Sequence, residues 1–161
     1  MSKSLVLYFS VYGTARKVAE EITRQTGADI LEIEPQVPYD SDRNHYNALA
    51  RLAKKEHDED QRPKIKNSLP IADYDTIFLG YPMWWYTFPM IICTLFDQYD
   101  FSGKTIIPFN THMGSRDGGT YETIRELAPK AKVLAGLPVE MNDAEKGAAD
   151  VVTKWLQDLP I

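Results

Sequence analysis

The chain has 161 residues, 43% of them hydrophobic and 25% charged, which is the composition of one ordinary globular domain. Its formal net charge of −5 argues against a nucleic-acid partner and against binding to an anionic membrane. The single cysteine, Cys93, excludes an internal disulfide, the three histidines lack zinc-type spacing, and no apolar stretch is long enough to span a bilayer. We expect one cytoplasmic domain over residues 1–161 with no metal site.

The first predicted strand is the apolar run from Leu5 to Phe9, which is short and continuous as in strands buried on both faces. A helical pattern follows from Gly13 to about Thr26, and Gly27 is its expected stop. The connecting loop, residues 10–15, lies at a helix N-terminus, where free backbone N–H groups bind phosphate well. A plain strand-to-helix turn is the alternative, because the loop is neither a Walker loop nor a dinucleotide glycine motif.

The next part of the chain is more polar. Residues 28–33 alternate polar and apolar side chains, which indicates an edge strand. Residues 40–60 are mostly charged and carry only a narrow apolar stripe, formed by Ala48, Leu49, Leu52 and Ala53. This pattern predicts a mostly solvated helix.

A second buried strand is predicted over residues 74–80, and an aromatic loop follows it at residues 81–89. Trp84 and Trp85 cannot both point into one core from an extended segment, because neighbouring side chains diverge. At least one of them is expected to face a ligand or a partner, and indole faces suit stacking on a planar ring. The alternative, that both tryptophans cover the ends of neighbouring helices, stays open.

The second half of the chain continues the alternation of strands and helices. We predict a helix from Pro89 to about residue 99, a strand over 104–109, a polar loop over 110–119 and a helix over 120–128. A fifth strand over 132–137 and a last helix, capped by Asn142 or Asp143, complete the pattern.

This alternation predicts an α/β fold in which a doubly wound, five-stranded parallel sheet of order 2-1-3-4-5 carries helices on both faces. Ligands of such sheets bind beyond the carboxyl ends of the strands, between strands one and three. The loops after strands one, three and four are therefore expected to converge on one site.

Gly80-Tyr81-Pro82-Met83-Trp84-Trp85 and the stretch 101–109, followed by Thr111-His112, resemble the flavodoxin family, specifically bacterial members with a Gly-Tyr-Pro-x-Trp-Trp loop. That family binds FMN without a covalent bond. The resemblance implies that the first loop holds the phosphate and that the other two hold the isoalloxazine ring. The residues it assigns to the cofactor are Ser10, Tyr12, Gly13, Thr14, Ala15, Arg16, Pro82, Met83, Trp84, Trp85, Tyr86, Thr111, His112, Met113 and Gly114.

The first loop departs from the family pattern, because Tyr12 and Ala15 stand where two threonines are expected. Arg16 or Lys17 adds positive charge that flavodoxin loops usually avoid. We expect His112 beside the pyrimidine end of the flavin, where a proton held near neutral pH would stabilise the reduced ring.

The resemblance implies an electron-transfer protein whose partners are redox proteins or a small electron acceptor. We favour a carrier, since no long insertion stands out that would cover a second substrate. The alternatives are an FMN-dependent reductase of quinones or nitro compounds with a nicotinamide donor, and a non-catalytic flavin-binding module. No catalytic residue is assigned, and the sequence leaves a monomer and a homodimer open.

Overall fold

The computed structural model describes residues 3–161 and contains a parallel sheet. Its strands are β1 (Ser4–Tyr8), β2 (Asp29–Glu32), β3 (Thr76–Pro82), β4 (Thr105–His112), β5 (Lys132–Val133) and β6 (Leu137–Glu140). The order β2-β1-β3-β4-β5 confirms the prediction, and β6 is an additional short strand that pairs with the end of β4.

In the described residues, four helices lie between successive strands, as expected for parallel crossovers, and two follow the last strand. They are α1 (Thr14–Thr26), α2 (Tyr46–Asp58), α3 (Met90–Gln98), α4 (Thr120–Leu127), α5 (Met141–Glu145) and α6 (Ala149–Asp158). Short 3-10 turns at Arg43–His45 and Ile71–Asp73 precede α2 and β3.

Each face of the sheet has its own core, because successive side chains of a strand point to opposite faces. On one face, Leu5 and Leu7 of β1 belong to a cluster with residues of α3 and α4. On the other face, Val6 and Tyr8 belong to a cluster with residues of α1 and α6. The sheet is thus covered on both of its faces.

Two predicted elements near the end of the chain differ in detail. The fifth strand is interrupted after Val133, and its two parts pair with opposite ends of β4. Within the interruption, Gly136 lies so close to its neighbours that a Cβ would sit 2.4 Å from the Tyr121 ring. Asn142 and Asp143 do not cap the last helix, because they lie inside the separate short helix α5.

Candidate functional site

The strand register brings the carboxyl ends of β1, β3 and β4 side by side. Tyr8 pairs with Gly80, and Pro82 pairs with Thr111. The loops that follow these strands line one cavity of about 680 Å³. The predicted site residues in its lining are Ser10, Tyr12, Thr14, Ala15, Pro82, Met83, Trp84, Trp85, Tyr86, Thr111, His112, Met113 and Gly114.

Two predicted site residues do not line this cavity within the described chain. Gly13 instead shapes the first loop: its φ of 86° lies in the left-handed region that glycine adopts readily, and its N–H donates to Ser10 Oγ at 3.0 Å. The exposed Arg16 side chain lies 3.6 Å from Glu20 one helical turn further on. The assignment of Gly13 and Arg16 to the cofactor therefore stays a prediction.

The start of α1 carries a cluster of cations around one carboxylate, Glu145 of α5. Glu145 accepts hydrogen bonds from Thr14 Oγ1 at 3.1 Å, Lys17 Nζ at 2.9 Å and Arg43 Nη2 at 2.8 Å. The Lys17 and Arg43 hydrogen bonds lower the pKa of Glu145 to about 2, against the opposing effect of burial. The guanidinium of Arg43 also lies 5.2 Å from the centroid of the Tyr12 ring, which lines the cavity.

The aromatic loop after β3 is a tight turn made by bulky residues. The N–H of Trp84 donates to the carbonyl of Thr87 at 2.8 Å, and the N–H of Thr87 returns a bond to Trp84 at 3.1 Å. Trp85 and Tyr86 have φ values of 53° and 62°, in the left-handed region that costs most residues about 1–2 kcal/mol each. Such strain concentrates at functional sites, where the surrounding structure holds it in place.

The two tryptophans diverge. Trp84 packs edge-on against Phe9 and Tyr39, with ring centroids 5.6 and 5.3 Å apart. Trp85 is 48% exposed, and its indole N–H donates to the backbone carbonyl of Ala50 in α2 at 2.7 Å. Both residues line the cavity, so one indole there packs against other aromatic rings and the other is more exposed.

Helix α2 forms one wall of the cavity, and this role was missed by the sequence prediction. Its residues in the lining are Tyr46, Asn47, Leu49, Ala50 and Ala53. Glu56 helps to hold the helix in place, since the Tyr39 hydroxyl lies within 2.8 and 3.0 Å of its two carboxylate oxygens. Burial raises the pKa of Glu56. The apolar stripe was visible in the sequence, but a stripe does not say whether it faces the core or a cavity.

The loop after β4 is ordered by buried polar contacts. Asn110 is fully buried, donates to the Arg116 carbonyl at 2.8 Å and accepts a hydrogen bond from the Tyr121 hydroxyl. The hydroxyl of Thr111, also buried, has no hydrogen-bond partner among residues 3–161. Buried hydroxyls are normally satisfied, and Thr111 lines the cavity, so a bound molecule could supply the missing partner.

The surroundings of His112 lower the pKa of its imidazole. Burial lowers its pKa, and nearby Arg116 lowers it further, whereas Glu140 opposes the shift. Its Nδ1 accepts the N–H of Gly114 at 3.0 Å, a bond that protonation of this nitrogen would remove. These surroundings favour the neutral imidazole, and the expectation of a proton held there beside a reduced flavin stays a prediction.

Two further features are absent from the described residues 3–161. None of the helices there combines the length and the apolar character that crossing a membrane requires. That same part of the chain holds no group of three or more His, Cys, Asp or Glu side chains placed to bind a metal ion.

Comparison with known proteins places this geometry in a family context. A family model described as Flavodoxin matches residues 3–159. The crystal structure of a proposed flavoprotein from Bacteroides eggerthii is 31% identical, with a TM-score of 0.80 over 100% of this chain and 99% of that one. A flavoprotein from Lactobacillus acidophilus, solved in complex with FMN, shares the fold at 22% identity, with a TM-score of 0.71 over 92% of this chain and 99% of that one.

A relative with an enzyme name is also similar. The protein from Gluconacetobacter diazotrophicus named NAD(P)H dehydrogenase (quinone) is 28% identical over 153 residues, covering 86% of this chain and 72% of that protein.

Proposed function

This chain belongs to the flavodoxin family, and we propose that its cavity binds one FMN and that the protein transfers electrons through it. The observation that carries the proposal is the convergence of the loops after β1, β3 and β4 on a single cavity of about 680 Å³. These loops supply different chemistry, which matches the different ends of a flavin mononucleotide.

The end of the cavity near α1 fits a phosphate. The first-turn N–H groups of a helix lack intrahelical acceptors, and the helix dipole favours a negative charge there. Thr14 adds a hydroxyl, and Lys17 and Arg43 place two cations beside it. Backbone amides with two cations form a donor set suited to a phosphate monoester.

The other end of the cavity fits a planar ring with polar edges. Trp84 and Trp85 offer aromatic faces, and aromatic pairs are favourable in stacked or edge-on arrangements. The Thr111 hydroxyl, which has no hydrogen-bond partner among residues 3–161, and the His112 imidazole lie at the same cavity. These groups could hydrogen-bond to the edge of the ring. The chemistry supplied by bound FMN is the acceptance and release of one or two electrons.

The protein's role could be that of a carrier or of a reductase, and we place the carrier first. Its net charge of −5 suits association with basic redox proteins through electrostatic attraction. The wall formed by α2 favours the second candidate, an FMN-dependent reductase of a small acceptor such as a quinone. The name of the Gluconacetobacter relative supports the same candidate.

The proposal is tested by titrating the purified apo-protein with FMN while flavin fluorescence is recorded. We expect saturable quenching at one FMN per chain, because aromatic side chains contact the ring. A protein that leaves the fluorescence of added FMN unchanged and carries no flavin after purification would contradict the proposal.

The two roles are then separated by steady-state assays of the FMN-loaded protein. Saturable NAD(P)H oxidation that depends on an added quinone would identify a reductase. Reduction only by a chemical reductant, followed by electron transfer to a basic redox protein, would identify a carrier.

A further inference from the structure

We propose that Glu145 is an internal anion that occupies, in the ligand-free protein, the cations that anchor the phosphate of the bound mononucleotide. The phosphate then takes Lys17 and Arg43 over from this carboxylate. The inference rests on the proposed function and adds to it a residue that sets how strongly the phosphate is bound.

The contacts of Glu145 differ from those of the other ion pairs. Its partners Thr14, Lys17 and Arg43 are 131, 128 and 102 residues away in sequence, so two distant segments, α1 and the turn at Arg43–His45, meet the carboxylate of α5. In residues 3–161, no other carboxylate pairs with two Lys or Arg side chains. An ordinary surface ion pair does not require several distant residues to meet at one carboxylate.

The cluster also lies where the phosphate is expected. Thr14 lines the cavity and is buried, and Arg43 stacks over the cavity residue Tyr12. Lys17 is one turn into α1, and its ammonium group contacts both the carboxylate and the backbone carbonyl of Glu145. Two cations and a hydroxyl gathered at a helix N-terminus form a donor set for a phosphate, and a carboxylate is the anion that the chain itself can offer.

This arrangement accounts for the unusual first loop. Tyr12 and Ala15 remove two hydroxyl groups that the family pattern would direct at the phosphate. Lys17 and Arg43 replace neutral donors with charged ones, which form stronger hydrogen bonds. Glu145 keeps these cations neutralised while no phosphate is bound, and since its pKa is about 2 the carboxylate stays ionised at neutral pH.

The consequence is a competition between two anions. Binding of the phosphate requires that Glu145 be displaced from Lys17 and Arg43, which costs free energy. The apparent affinity for FMN is therefore lower than it would be if the two cations were free. Neutralising Glu145 should therefore strengthen the binding of FMN, which carries a phosphate. Riboflavin, which carries none, should be unaffected.

The experiment measures the dissociation constants of FMN and riboflavin for the wild type and for Glu145→Gln. We expect the preference for FMN over riboflavin to rise about tenfold in Glu145→Gln, the size of one charge-assisted hydrogen bond. Glu122→Gln is the matched control, because Glu122 is an exposed ion-pair partner of Arg125 outside the cavity, and the change in net charge is the same.

Arg43→Gln provides an independent test through an exposed side chain. It should reduce the preference for FMN about tenfold and leave riboflavin binding unchanged. Melting temperatures of all variants establish that they are folded. If Glu145→Gln does not fold, Arg43→Gln decides the question, because an unchanged preference for FMN would show that Arg43 does not anchor the phosphate and would overturn the inference.

The outcomes separate this inference from the proposed function. If the wild type binds neither flavin, the proposed function is wrong and the inference fails with it. If the wild type prefers FMN, but Glu145→Gln behaves like Glu122→Gln or weakens FMN binding, Glu145 is only a structural residue and the inference alone is overturned.

Discussion

Gly118 supports the aromatic loop from behind, and its replacement by alanine tests whether the loop after β4 positions that turn. Gly118 has a φ of +56°, and a Cβ there would lie 2.5 Å from the carbonyl oxygen of Tyr86 and 2.6 Å from Met83 Cε. The end of the Met83 side chain can move away at little cost. The Tyr86 carbonyl cannot move away in the same way, because it belongs to the strained turn that carries Trp85.

The expected cost of Gly118→Ala has two parts. A non-glycine residue in the left-handed region costs about 1–2 kcal/mol. Forcing an extra methyl group into a packed region costs about 1–3 kcal/mol. The free energy of unfolding should therefore fall by about 2–5 kcal/mol, which lowers the melting temperature of a chain of this size by roughly 4–20 °C.

Gly119→Ala is the matched control. Gly119 has a φ of +82°, so alanine is strained there too, but a Cβ would meet nothing within 4 Å. The free energy of unfolding of Gly119→Ala should fall only by the cost of the left-handed backbone, about 1–2 kcal/mol, and its FMN affinity should equal that of the wild type. Gly118→Ala should lose more stability and weaken FMN binding, because the turn with Trp85 is displaced. Equal melting temperatures and equal FMN affinities of the two variants would refute this reasoning.

Three other predictions concern the cavity and the cluster around Glu145. Trp84→Ala or Trp85→Ala should weaken FMN binding by about 1–3 kcal/mol and reduce the quenching of flavin emission; unchanged values in both would make the two residues purely structural. His112→Gln should flatten the loss of thermal stability as pH falls below the ordinary value of 6.5, because a lowered pKa in the folded state means that acid protonates the unfolded chain first. Melting temperatures of the wild type and His112→Gln between about pH 5 and 8 measure this effect, and the same pH dependence in both proteins would exclude it. Glu145 stabilises the fold above its ordinary pKa of 4.5, and this stabilisation disappears as pH falls through about 2, so the melting temperatures of the wild type and Glu145→Gln should converge in acid. A difference in melting temperature between the two proteins that stays constant on acidification would contradict this prediction.

The sheet and the convergence of its loops could be predicted from the sequence because they depend on local signals. Apolar runs such as Leu5 to Phe9 identify buried strands, and Gly27 marks the end of α1. The alternation of strands with helices then restricts the topology, and the topology places the loops at one edge. These steps need no knowledge of distant contacts.

The remaining features depend on contacts between residues far apart in sequence. Glu56 is buried in α2 and accepts a hydrogen bond from the Tyr39 hydroxyl, so a residue type that is usually exposed lies on the buried face of the helix. The cluster around Glu145 joins segments more than 100 residues apart. Trp85 and Tyr86 form a left-handed turn without the glycine or asparagine that would have signalled it.

The most direct test of the central claim is a calorimetric titration of the apo-protein with FMN and, separately, with riboflavin. The account predicts one FMN per chain and tighter binding of FMN than of riboflavin, because the donors at the start of α1 bind the phosphate. The absence of any FMN binding would contradict the assignment of the cavity as a flavin site. Equal affinities for the two flavins would contradict the assignment of its phosphate end.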